Sequence, residues 1–597
     1  MGLYTELPKD IEEVDVIIAG GGTAGCVIAA RLAEADPQLF ILVVEGGPNN
    51  LNEPSIIFPV FFLSHLLSDS KNTIFNRGNK TKHVADREII IPTGGVLGGG
   101  SSINYLKYVR AQRMDFDAWD TPGWTAEDML YYMKKFETYY GPGKDELHGK
   151  TGPIHVSSGT FRPERTGKDF IAAASKLGLP EFEDIDDLDS NEGVGIALRY
   201  ISPDGVRQDT AHRYLHPKLQ SGQYPNLHVV VESQVLKVLI ENKKAVGVTY
   251  QPKRDPNGLR TVKARRLVVV SCGALGSPLV LERSGIGHSE VLKKAGVEIV
   301  EDLPGVGQDY QDHQILVYPY RSSLAPEETM DDVIGRRVDP AELIKNKAPV
   351  LGWNAQDLTC KVRPTEAEVA ALGPKFQAAW EADFKNNSNK PLTIISPTGC
   401  YPGDPTGVPV GQYVGTATFS TYPYSRGHMH ITGPTLSDPP DFDTGFLSDP
   451  EGLDIKTHVW AYKKQRELLR RMNIFRGELI SRHPPFPAGS RAACIEIDAP
   501  LTDVRDIEYS AEDDAILEQW IREHVDSVWH GLGTCKMAPR DKAGVVDANL
   551  GVYGIEGLKV ADLGIVPTNV AANTNSVVLA IGEKAADIFI KELGLSK

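Results

Sequence analysis

The sequence predicts a mixed fold, α/β together with α+β, in which a βαβ unit on a parallel sheet is joined to a second unit on an antiparallel sheet flanked by helices. Three observations predict it. A chain of 597 residues is too long for a single core. Its first forty-five residues run as strand, glycine-rich turn, helix and strand. Far downstream, Tyr413 to Tyr424 and His428 to Thr432 are aromatic-bearing segments that alternate at the period of a strand.

The opening strand is Asp15 to Ala19, and it ends in Gly20-Gly21-Gly22-Thr23-Ala24-Gly25. Cys26 to Glu34 has helix-forming composition, and a second apolar run, Phe40 to Val44, ends in Glu45. The glycines divide the work: Gly20 permits the tight turn, Gly22 lets the backbone approach a pyrophosphate, and Gly25 lets the helix lie close on the strand. The helix N-terminus then offers free N–H groups and the positive end of its dipole to phosphate. Glu45 stands where an acid accepts hydrogen bonds from a ribose, which disfavours a 2′-phosphate. A glycine-rich turn alone would be weak, but strand, helix and acid agree here, and the pattern reads as dinucleotide binding. The fingerprint by itself serves NAD and FAD alike.

Composition narrows the remaining classes. With 63 basic against 79 acidic residues the net charge is -16, which argues against nucleic-acid binding. No apolar stretch reaches the ~18–20 residues of a membrane span; Ile56 to Leu67 is short and broken by Pro59, Ser64 and His65. The acidic N-terminus lacks the order of a secretory signal. Leu595-Ser596-Lys597 holds the letters of a peroxisomal address in the wrong order, so a cytoplasmic location is expected, with a peroxisomal one as the alternative. Six scattered cysteines without CxxC pairs indicate neither a disulfide framework nor zinc. His428 with His430, and His212 with His216, have spacings a metal could use but no further ligands nearby, so no metal site is expected. GxSxG, HExxH and P-loop motifs are absent.

A second glycine cluster follows the strand Ile89 to Ile91: Gly94-Gly95-Val96-Leu97-Gly98-Gly99-Gly100-Ser101-Ser102-Ile103-Asn104. A third, Gly273 to Gly287, follows the buried-strand pattern Leu267 to Ser271. In these two stretches, with Gly98, Gly99, Asn104, Tyr108, Ala111 and Asp117 in pattern positions, the chain resembles the glucose–methanol–choline (GMC) oxidoreductases, which are FAD enzymes. Within that family it is similar to the alcohol oxidases of fungi and yeasts, through Gly99 to Asn104, Tyr422 to Gly427, Val459 to Lys464 and Trp529 to Cys535. Departures are Gly95 in place of a basic residue or Asn, Tyr105 in place of a Phe, and the lack of the long insertion and C-terminal extension of the octameric peroxisomal enzymes.

The resemblance implies non-covalent FAD, since Ile103 stands where choline-oxidising relatives carry a flavin-linking His. Cofactor contacts are expected from Gly20, Gly22, Thr23, Ala24, Gly25 and Glu45, and from Leu97, Gly98, Gly99, Ser102 and Asn104. Val235, Trp529, Asp562, Gly564, Asn573 and Thr574 complete that set. His530 matches the family's base and Asn573 its substrate-orienting partner, while Tyr105, Phe419, Tyr422 and Trp529 are candidate pocket walls. For Phe419 and Tyr422 an ordinary core role is at least as good a reading. Asp312-His313 reads as a turn of the flavin unit and not as a catalytic pair.

Physical chemistry adds to this. A neutral His beside a hydroxyl removes its proton, an effect worth ~10²–10⁴ in rate. The final helix, expected over Ser576 to Leu593, stabilises negative charge at its N-terminus by ~0.3–1 kcal/mol, or up to ~2 when partly buried. The expected unit for FAD is discontinuous, 1–156, 226–317 and 544–597, with 157–225 and 318–543 forming the substrate unit. The expected reaction is that of a primary alcohol with O₂, giving aldehyde and H₂O₂. The alternatives are a GMC dehydrogenase using a quinone, and a non-redox lyase or cyclase relative. Partners are then small molecules, with no nucleic acid or membrane insertion, and a homo-oligomer is compatible with the resemblance.

Overall fold

A computed structural model describes residues 2–595; Ser596 and Lys597 of the C-terminal tripeptide lie outside the described residues. An eight-stranded sheet runs in the order Leu3–Tyr4, Leu227–Val230, Ile41–Val44, Glu13–Ala19, Arg260–Val270, Lys244–Pro252 and Ser233–Glu241, with Leu558–Val560 also paired to Arg260–Val270. The pairs around Glu13–Ala19 are parallel, with Val16 opposite Ile41 and Leu267. Val16 to Ala19, Ile41 to Val44 and Leu267 to Val270 are buried throughout. Parallel strands covered on both faces have no solvent side to alternate toward, which is why these runs read as continuous apolar sequence.

Two helices cover one part of this sheet. Thr23–Ala35 follows the first glycine turn, and Asn575–Glu592 packs along it, with Gly582 admitting Val27 and Ala24 at close range. Both begin one to three residues earlier than the apolar pattern alone suggests, because Thr23 and Asn575 continue the helix into the turn.

The second eight-stranded sheet runs Phe475–Glu478, Gln314–Ser322, Tyr413–Ser420, Thr393–Thr398, Leu358–Val362, Gly193–Ile196 and Glu181–Phe182, with Asp526–Ser527 paired to Gln314–Ser322. It is antiparallel except for its last pair. The helix Leu453–Arg470 lies against it and buries Val459, Trp460 and Tyr462.

Three borders differ from the expected segments; at one of them Leu532, Cys535 and Met537, expected in the second unit, sit in the core of the first. Gln314–Ser322 belongs wholly to the antiparallel sheet, although 314–317 are expected in the first unit. Ala211, Tyr214, Leu215 and Leu219, expected in the second unit, sit in the core of the first, because Ala211–Leu215 packs on Thr23–Ala35. Among the described residues, no helix is long and apolar enough to cross a membrane.

Candidate active site

The two glycine clusters that are separate in sequence meet in space. Gly98 N–H donates to Gly21 O at 2.7 Å, and Ser101 N–H donates to Thr23 Oγ1 at 3.2 Å. Gly99 has φ +54°, and a Cβ there would lie 2.8 Å from Gly22 Cα. Gly20 has φ +99°, and a Cβ on it would strike Ser271 O at 2.4 Å. Gly22 differs from both: its nearest neighbours would be 3.8 Å or more from a Cβ, so close approach by something outside the chain is what its bare backbone allows. It also caps the helix Thr23–Ala35 without a side-chain hydrogen bond, leaving the first-turn N–H groups available.

Around this cradle several of the expected cofactor residues already hold hydrogen bonds within the chain. The Glu45 carboxylate accepts from Gly21 N–H at 2.8 Å and Gly47 N–H at 2.7 Å, so it first ties two loops together; each oxygen keeps a further lone pair. Ser102 Oγ donates to Leu97 O, and Asn104 Oδ1 accepts from Arg207 and from Leu106 N–H. Ala24 and Gly25 lie buried in the first helical turn. Val235 follows Gln234, whose side chain lies beside Gly46. Asp562 accepts from Gly564 N–H, Gly273 N–H and Ser277 Oγ, joining the end of Leu558–Val560 to the start of the helix Gly273–Arg283.

At the other end of the site, one short segment holds two loops. Gln311 and Leu532 exchange both backbone hydrogen bonds, and Gln314 and Ile315 pair with Ser527 and Asp526. His530 therefore lies opposite Asp312 and His313. Gln311 also reaches the last loop, donating from Nε2 to Pro567 O and accepting Asn569 N–H. The capping box between Ser510 and Asp513 starts the helix Ala511–His524 that feeds this turn.

His530 is buried. Its backbone N–H donates to Asp312 Oδ1 at 2.9 Å, its Nδ1 lies 2.8 Å from His313 Nδ1, and its Nε2 lies 3.3 Å from Asn573 Nδ2. Burial, then the neighbouring His313, hold the His530 pKa well below the ordinary range, which keeps the ring neutral. Burial pushes His313 down to about 4 and Asp312 up to about 7. Asn573 Oδ1 is buried without a partner, and Thr574 caps the helix Asn575–Glu592 without a side-chain bond. Trp529 is held at φ +64°, a strained backbone for a bulky residue, with its N–H on Ser527 Oγ.

Of the four expected pocket walls, three are near His530 or linked to it. Phe419 packs edge-on to His530 at 6.0 Å, and Trp529 to Tyr105 at 4.9 Å, with Phe62 beyond at 4.3 Å. Tyr422 is engaged elsewhere: its hydroxyl donates to Asp115 Oδ1 at 2.6 Å and its ring meets Phe384 edge-on. Asp115 in turn accepts the Ala571 N–H, so Tyr422 braces the loop that carries Asn573.

Residues 14–315 match the N-terminal domain of GMC oxidoreductases, and residues 423–582 match their C-terminal domain. The chain belongs to the GMC oxidoreductase family. It is 39% identical to the alcohol oxidase of Candida boidinii, covering 98% of this chain and 96% of that one. The alcohol oxidase of Pichia angusta gives the same identity and coverage. Formate oxidase of Aspergillus oryzae shares the fold at a TM-score of 0.82 and 24% identity, over 97% of this chain and 98% of that one.

GMC oxidoreductases are FAD enzymes, and the residues present fit that group. The uncapped helix at Gly22, the open space beside Gly22, Gly100 and Gly273, and the unpartnered Asn573 Oδ1 are all features that a bound dinucleotide and its substrate would complete.

The sequence presents Asp312-His313 as a turn, yet in this GMC chain both contact His530 directly. A signal was present: the polar run Gln308 to Gln314 leads straight into a buried strand, where polar side chains need specific partners. The histidine pairs considered for metal are bonded otherwise, His430 to Glu282 and His212 to Asp209.

Proposed function

We propose that this GMC oxidoreductase is an alcohol oxidase, converting a primary alcohol and O₂ to the aldehyde and H₂O₂, with His530 as base and Asn573 as its substrate-orienting partner. One observation carries the reading: a buried, neutral His530 whose Nε2 faces the Asn573 amide, beside an amide oxygen that has no partner. An alcohol held against both groups donates its hydroxyl proton to His530 Nε2, and its oxygen accepts from Asn573 Nδ2. FAD, when bound, supplies the two-electron chemistry, taking the carbinol hydride and passing the electrons to O₂.

The surrounding chain serves that proton transfer. Phe419, Trp529 and Tyr105 keep the His530 side of the site apolar, so its ring stays uncharged until substrate arrives. The uncapped N-terminus of Asn575–Glu592 favours negative charge nearby by ~0.3–1 kcal/mol, more when partly buried. On the same reading the parallel-sheet unit holds the cofactor and the antiparallel-sheet unit closes over the substrate. Homo-oligomer formation and cytoplasmic residence belong to the proposal, and sedimentation and localisation of a tagged chain check them.

The test is an anaerobic screen of flavin reduction by methanol, longer alkanols, benzyl alcohols and glycerol, followed by mixing with O₂. Bleaching by an alcohol and rapid reoxidation with H₂O₂ release are expected. Bleaching followed by sluggish reoxidation but rapid turnover with a quinone would make it a dehydrogenase; a flavin that stays yellow would reject both.

A further inference from the structure

We propose that His313 is a positioning residue that fixes the tautomer of His530, so that the lone pair of the base lies on Nε2, toward Asn573, and its proton on Nδ1. The inference rests on His530 being the base.

Hydrogen-bond chemistry determines each step along the chain. His313 Nε2 lies 2.8 Å from Val570 O and 3.1 Å from Thr421 O. A carbonyl oxygen can only accept, so Nε2 of His313 carries a proton and shares it between the two. A buried neutral ring has one N–H, so Nδ1 of His313 is bare and accepts. Its neighbour at 2.8 Å, His530 Nδ1, must then be the donor. A neutral His530 with its proton on Nδ1 has its lone pair on Nε2.

The far end agrees with this tautomer. Asn573 Nδ2 can only donate, and it points at His530 Nε2. The Asp312 carboxylate takes no part in choosing the tautomer, because it holds the backbone N–H of His530 and the hydroxyls of Tyr310 and Ser527. Two backbone carbonyls on different elements, one after the strand Tyr413–Ser420 and one before Asn573, are thus read out as the direction of a lone pair on the base. The arrangement replaces an orienting carboxylate with no buried charge.

Among the described residues His313 is the hydrogen-bond partner of His530 Nδ1, so without it only the longer 3.3 Å contact from Asn573 opposes a ring protonated on Nε2, which cannot take the alcohol proton. His313→Leu removes the acceptor. His313→Asn can present its amide oxygen to the same donor, though it gives up the carbonyl contacts.

The test is neutron crystallography of the FAD-loaded, oxidised enzyme after exchange into D₂O near pH 8. The expected result is deuterium on His313 Nε2 and His530 Nδ1, with none on His313 Nδ1 or His530 Nε2. Deuterium on His530 Nε2, or on His313 Nδ1, overturns the proposal. As a second readout, anaerobic flavin reduction by the preferred alcohol should fall about 10²-fold or more in His313→Leu with FAD retained, on the scale of losing a general base. His313→Asn should recover at least about tenfold of that loss. Equal losses in the two variants, or none, contradict it. Wild-type reduction rates in His530→Ala would instead remove the base assignment, and the neutron map would still decide the tautomer.

Discussion

The Asp312 carboxylate accepts the backbone N–H of His530 at 2.9 Å, across 218 residues of sequence. Its other oxygen accepts the Tyr310 and Ser527 hydroxyls, so one buried side chain fixes the turn on which the base stands. Asp312→Ala leaves three buried donors unpaired, each worth about 1–3 kcal/mol, and should destabilise the protein by at least about 3 kcal/mol. Denaturant unfolding checks this; a loss under about 1 kcal/mol would show that the turn is held by other means.

That relationship also marks where sequence reading stops. The glycine clusters are legible because each works within a few residues of itself: turn, approach and helix start all lie inside Gly20 to Gly25. Even so, that Gly99 would press on Gly22 depends on a contact between clusters that composition cannot reveal. His530 and Asn573 are reached through family motifs, whereas Asp312 and His313 acquire their roles only when 311–315 pairs with 526–532. The bracing role of Tyr422 is hidden for the same reason, since its partner Asp115 lies 307 residues away. The unit borders move because membership is set by long-range contacts: Gln314–Ser322 pairs with Tyr413–Ser420, and Ala211–Leu215 packs on Thr23–Ala35.

Glycine substitutions separate folding from cofactor binding. Gly99→Ala places a methyl 2.8 Å from Gly22 Cα at a positive φ, and should impair folding. Gly22→Ala meets nothing closer than 3.8 Å and has a φ of -78°, so the chain should fold but bind FAD weakly. Circular dichroism with flavin content measures both. A Gly22→Ala protein that retains full FAD would contradict the assignment of this turn to the cofactor.

A charge beside the base should move its working range. Asn573→Asp puts a carboxylate about where the amide now lies 3.3 Å from His530 Nε2, which favours the protonated ring and raises its pKa. The base works only when neutral, so the rise of kcat/KM with pH should shift to higher pH. An unmoved profile would place the essential titration on another group.

His458 should make the protein acid-sensitive. Both of its ring nitrogens are buried without partners in the helix Leu453–Arg470, and burial pushes its pKa down to about 3. A histidine depressed from 6.5 contributes stability that is present above pH 6.5 and lost as the pH falls toward 3. His458→Leu removes that loss. Between pH 8 and pH 5 the variant should gain about 2 kcal/mol relative to the wild type in denaturant unfolding. Asp312, raised to about 7, acts in the opposite sense and is unchanged in this comparison, so it cancels. A pH-independent difference would show that His458 is hydrated or paired.

The most direct test of His530 as the base of an alcohol oxidase is the single-turnover, anaerobic reduction of bound FAD by the preferred alcohol, wild type against His530→Ala. The expected result is a rate about 10²–10⁴-fold lower in the variant with FAD content unchanged. Reduction at the wild-type rate would contradict it.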